Sequence, residues 1–313
     1  MNARWGLWLL VAALALAFLL VGSGFDVNYV IPKRATRLAA MVVAGVCIAL
    51  SSVVFQTLAG NRILTPAIMG YEAIYLLFQS LLVLLLGAHS LVLLGRHGNA
   101  LLSVALMLSY SWLLHRWLLR DRQHSVYLLL LTGLVLTMVL TTFTQFIQLK
   151  TSPGEFSILQ GLNYTSFNRA RPDQVLYSAL AVAAVGWLLW RRVRVLDLLA
   201  LGREQSLSLG EDYGRAVRLY LTLIAVLVAV STSLVGPTAF MGVFVANITY
   251  ALAGSSRHRV TLPMSCAIAI GLFIVAQFLV EQWFNYNTTV SILVNLVCGS
   301  YFLALMVRRR GTP

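Results

Sequence analysis

The feature that most constrains this chain is the recurrence, from end to end, of apolar runs about 20 residues long that carry few or no charges. A helix needs about that length to cross a bilayer, and a backbone in lipid must satisfy its own N–H and C=O groups. Runs of this length do so as helices, whereas barrel strands alternate over about ten residues. Hydrophobic residues make up 59% of the 313 and charged residues 11%, with a mean hydropathy of +0.84. Soluble domains carry about 25% charged residues. The chain therefore reads as an all-α, polytopic membrane protein, a single transmembrane domain over residues 1–313.

Ten spans are predicted, roughly at 5–22, 36–58, 66–86, 100–119, 125–148, 175–190, 216–235, 238–252, 263–283 and 288–307. The first is expected to be a retained span and not a cleaved signal peptide, because its apolar run is long and lacks an A-x-A site. With the N-terminus inside, 16 of the 23 Lys and Arg residues fall on the cytoplasmic side. Basic residues mark cytoplasmic loops. Both termini are thus expected in the cytoplasm. The net charge of +13 is a topology signal of this kind and calls for no nucleic acid.

Two connections are longer and more polar than the rest. Residues 151–173 are expected on the outer side. Residues 191–215 lie inside, opening with Arg191, Arg192 and Arg194. The Leu and Ala spacing of 196–211 predicts one or two short amphipathic helices, broken at Gly202 and Gly210.

Several chemistries are missing. A P-loop needs lysine after glycine and before Ser or Thr, but the two lysines follow Pro32 and Leu149. Any ATP drive must come from a separate subunit, and the chain is not expected to be an enzyme. The five histidines make no H-E-x-x-H spacing and read as interfacial residues at helix ends, while Cys47, Cys266 and Cys298 read as small buried packing residues. No metal or cofactor is expected. Glu72 is the one carboxylate placed well inside a predicted span, which is thin support for an ion-coupled carrier.

Three segments carry a resemblance. The first is Arg34 and Arg37 followed by 56–70, QTLAGNRILTPAIMG. The second is Leu199, Ala200, Leu201 and Gly202 with Leu209 and Gly210 behind them. The third is Gly242 to Val245 with His258 to Pro263, HRVTLP. In order and spacing these resemble the FecCD-type permeases of ABC importers for iron–siderophores, haem and vitamin B12. The resemblance covers residues 34–302. The chain departs from the family pattern at Arg62, at Ala246 and Asn247 in place of Pro-His, at Tyr250, and at 288–291.

The resemblance implies a type II ABC importer permease fold moving ferric siderophore, with vitamin B12 or haem as alternatives within the family. It also implies partners: ABC ATPase subunits below, a periplasmic substrate-binding protein above, and a second permease subunit beside, all within membrane lipid. Arg34 and Arg37, just before the second span, would dock the binding protein, and the 199–202 and 209–210 residues would form the ATPase coupling loop. Gln145, Gln148, Lys150 and Asn295 are candidates to line the pathway. The departures favour a heterodimeric permease in which the second chain is the more family-like.

Overall fold

A computed structural model describes residues 3–21, 28–87, 95–118, 126–238 and 240–310. The described residues are helical without strands: α1 (Ala3–Leu20), α2 (Val30–Ala59), α3 (Tyr71–Leu86), α4 (Gly95–Leu118), α5 (Val126–Gln148), α6 (Pro153–Leu162), α7 (Pro172–Arg191), α8 (Val193–Leu199), α9 (Arg203–Ser208), α10 (Tyr213–Val235), α11 (Met241–Ala253), α12 (His258–Gln282) and α13 (Val290–Arg310). Ten of them fall where the ten spans are expected. Among the described residues, α2, α5, α7, α10 and α12 are long and apolar enough to cross a membrane by length and composition alone.

The second helix begins at Val30, six residues before the expected span. Lys33, Arg34 and Arg37 end the apolar run without ending the helix. Pro32 sits in the first turn, where a missing N–H costs nothing because those groups have no intrahelical partner. Arg34 and Arg37 therefore lie on the helix and not ahead of it.

At about 1.5 Å per residue, α2 is about 45 Å long, and it is the central rod. It packs chiefly against α10 and the antiparallel α12. Ala40, Ala44 and Ala49 are fully buried. A Cβ on Gly45 would come within 3.1 Å of the Ile270 backbone nitrogen, and one on Gly242 of α11 would lie 2.0 Å from Ser52 Oγ. Small residues thus let three backbones approach closely, the main packing device between helices in lipid.

Before α3 the chain makes a 3-10 turn, Pro66–Met69, ending at Gly70 with φ +82°. Tyr110 donates to Met69 O at 3.0 Å and Thr137 donates to Ile68 O at 2.9 Å, satisfying carbonyls that the break leaves free. Glu72, in the first turn of α3, accepts from the Thr238 N–H at 3.0 Å.

Candidate functional site

Most of the candidate residues fall into three groups, two of them at opposite ends of the α2–α12 pair. At one end, Arg37 Nη1 lies 2.9 Å from Glu281 Oε1 and Arg34 Nη2 lies 3.5 Å from Glu281 Oε2. Arg34 also donates to Phe18 O at 2.9 Å and to Val21 O, fastening the end of α1. All three side chains are largely buried. Gln277, one turn back on α12, donates to Glu281 at 2.7 Å, and Arg37 donates to the Tyr286 hydroxyl at 3.2 Å. One carboxylate faces two guanidiniums, so the cluster keeps a surplus positive charge. Asn285 and Tyr286 hold positive φ in the turn just beyond it.

At the opposite end, the 191–215 connection folds as α8 and α9. Gly202 joins them at φ +98°, ψ 172°, a conformation essentially confined to glycine. Ser206, fully buried, donates its hydroxyl to Gly202 O at 2.6 Å and Leu198 O at 2.9 Å, closing the elbow. Leu199 is buried beneath, while Ala200, Leu201, Leu207 and Leu209 stand exposed, and Gly210 turns the chain at φ +85°. Asp197 of α8 ties the elbow to the core. Its Oδ1 accepts from the His258 N–H at 2.9 Å, capping α12, and lies 2.6 Å from His258 Nδ1. His258 Nε2 is in turn 2.8 Å from Thr57 Oγ1, near the end of α2. His258 is buried and so is not the interfacial residue its sequence position suggests.

The third group is a cavity of about 410 Å³ between α11 and α13, lined by Ile63, Phe244, Asn247, Asn295, Cys298 and Tyr301 among others. Asn295 is exposed there, beside Leu296 and Leu303. Asn247, which stands at a departure from the family pattern, donates to Arg62 O at 3.0 Å and Val243 O at 2.8 Å. The other pathway candidates lie on α5 and just past it, and they divide. Gln145 is exposed. Gln148 donates inward to Ser80 on α3 at 3.3 Å, and the Lys150 ammonium sits 6.0 Å from the Phe146 ring. None of these three lines the α11–α13 cavity.

Sequence reasoning missed Glu281, Asp197 and Thr57. It also missed α6, whose start is written as a capping box: Ser152 accepts from the Glu155 N–H, and Glu155 accepts from the Ser152 N–H. That S-x-x-E followed by an apolar run was available in the sequence.

The FecCD transport family model matches residues 6–308. The chain is 34% identical to the petrobactin import system permease protein YclO of Bacillus subtilis over 281 residues, 90% of this chain and 89% of that protein. It is 33% identical to the petrobactin import system permease protein FatC of Bacillus anthracis, covering 90% of this chain and 80% of the other. Among solved structures, an inward-facing metal-chelate type ABC transporter superposes with a TM-score of 0.86 at 19% identity, over 97% of this chain and 98% of that one. The fold is that of the type II ABC importer permeases.

Proposed function

Because the chain belongs to the FecCD transport family, we propose that it is the permease subunit of an ABC importer carrying a ferric siderophore across the bacterial inner membrane. On this reading both termini lie in the cytoplasm, and a separate ATPase subunit supplies the energy. The observation that carries this reading is that one antiparallel helix pair, α2 and α12, joins an arginine-rich cluster at one end to a protruding apolar elbow at the other. A machine that must report binding-protein docking to an ATPase across a membrane needs such a connection.

Arg34 and Arg37 are proposed to dock the substrate-binding protein. Their surplus charge beside Glu281 attracts carboxylates on a docking lobe, as a field of the cluster and not through free forks, which are already engaged with Glu281 and the α1 carbonyls. The exposed Ala200, Leu201 and Leu209, presented by Gly202 and Gly210, are proposed to seat in a groove of the ATPase. The α11–α13 cavity with Asn295, and the exposed Gln145 and nearby Lys150, are assigned to the pathway wall. Gln148 joins that wall only when its bond to Ser80 opens. An exposed asparagine in a membrane helix is costly against lipid. The face carrying Asn295 is therefore proposed to be covered by a second, different permease chain and by water. Co-expression of two differently tagged copies of this chain with the ATPase tests that: a transport-competent complex holding both tags and no second permease contradicts it.

The cargo is tested by uptake in iron-starved cells deleted for this chain, with petrobactin-bound radiolabelled iron and vitamin B12 offered in parallel. Iron uptake is expected to fall to background with vitamin B12 uptake unchanged. The reverse pattern would overturn the cargo while leaving the permease reading in place.

A further inference from the structure

A cavity of about 840 Å³ lies between the C-terminal half of α4 and the N-terminal half of α10, and it shares no residue with the three groups described above. Arg116 and Arg218 line it, together with Ser111, Trp112, His115 and Val226. Both arginines are exposed, and neither has a carboxylate within ion-pairing distance among the described residues. Arg116 is held over the Trp112 ring at 5.2 Å. His115 is buried, with Ser111 Oγ 3.5 Å from its Nδ1, and its Nε2 has no partner among the described residues. Apart from Thr222, whose hydroxyl is turned back to the Arg218 carbonyl at 2.9 Å, the remaining wall is apolar and faces outward. Trp112 and Leu113 are 60% and 61% exposed, and Leu108 lies eight residues, about 12 Å, deeper along α4.

This arrangement is cationic at helix-end depth and apolar toward the membrane interior. Two guanidiniums with no carboxylate partner among the described residues, beside an apolar groove, match an amphiphile with an anionic head. Basic pockets between membrane helices on the cytoplasmic side take anionic headgroups in this way, and guanidinium forks pair with phosphate oxygens bidentately. We propose that the α4–α10 cavity binds an anionic phospholipid. Its phosphodiester lies between Arg116 and Arg218, and its acyl chains run along Leu108, Trp112 and Val226. The assignment to the inner leaflet rests on the orientation proposed above, but occupancy by lipid does not.

Native mass spectrometry on the full chain tests this, after incubation with phosphatidylglycerol, phosphatidylcholine or glycerol phosphate. The wild type is expected to retain phosphatidylglycerol in preference to phosphatidylcholine. Arg116→Gln with Arg218→Gln is expected to weaken that retention by roughly fivefold per arginine, with little change of Tm in lipid-free detergent because neither side chain has a carboxylate partner among the described residues. Val226→Trp, which fills the acyl wall and leaves the charges in place, is also expected to lose the lipid. Equal retention of both lipids, or undiminished retention in both variants, overturns the proposal. Glycerol phosphate binding as tightly as the lipid would reassign the site to a soluble phosphate and overturn it equally.

Discussion

Glu281→Ala is expected to lower the stability of the protein by about 3–5 kcal/mol, the usual cost of removing one partner from a buried ion pair. The change leaves Arg34 and Arg37 facing each other with no carboxylate between them, in a site where all three side chains are largely out of solvent. Because Arg34 also holds the Phe18 and Val21 carbonyls, α1 should loosen from α2 along with α12. In detergent the fall in Tm should be on the order of 10 °C. Glu281→Gln keeps a hydrogen-bonding acceptor and should lose less. Unchanged Tm in the alanine variant would mean the cluster does not brace the helix ends. Arg37 belongs to the brace as well, through its 2.9 Å contact with Glu281, so the salt dependence of affinity is what reads out a docking role. Arg37→Glu should weaken binding-protein affinity most at low salt, where charge pairs are least screened. Affinity unchanged under those conditions would remove Arg37 from the docking surface.

Gly202→Ala is expected to be nearly as damaging to coupling as Gly202→Val. A Cβ there meets only the Gln205 Oε1 atom, at 3.3 Å, so crowding is slight. The backbone at φ +98°, ψ 172° is the obstacle, and forcing a non-glycine residue into it costs about 1–3 kcal/mol. The elbow should reopen, releasing Ser206 from Gly202 and Leu198 and moving Leu201 and Leu209 off their positions. The chain should still insert and purify, but with less ATPase attached, or with ATP hydrolysis no longer tied to uptake. Full transport in Gly202→Ala would show that the elbow conformation is not what the ATPase reads. A mild effect of alanine beside a severe one of valine would point to crowding instead.

The spans were legible because apolar length is a local property, and so were the elbow glycines, since a chain reversal between two short amphipathic helices needs them. What could not be read was which face of each helix meets protein. In lipid both faces are apolar, so the burial of α2, 78% within its most apolar window, and of α5 and α7, 22% each, leaves little trace in composition. The same blindness explains the pathway candidates on α5. Gln145 and Gln148 sit three residues apart, yet one is exposed and the other bonds inward to Ser80. Long-range polar partners were also hidden. Glu281 lies 244 residues from Arg37, and His258 lies 201 from Thr57 and 61 from Asp197. Each looks in sequence like a lone charge or histidine at a helix end. The start of α2 was misjudged for the opposite reason: its charges mark where the apolar run stops, whereas the helix continues through them to Val30.

The central claim is that this chain forms part of a pathway opened by an ATPase it does not itself contain. It is tested most directly in proteoliposomes holding the purified permease, its partner permease and the ATPase. Binding protein loaded with ferric siderophore is supplied on one side and ATP on the other. Accumulation of labelled iron is expected only when ATP, ATPase and binding protein are all present, and it should be lost with Gly202→Val while the complex remains inserted. Uptake driven by an ion gradient with the ATPase left out would contradict the account.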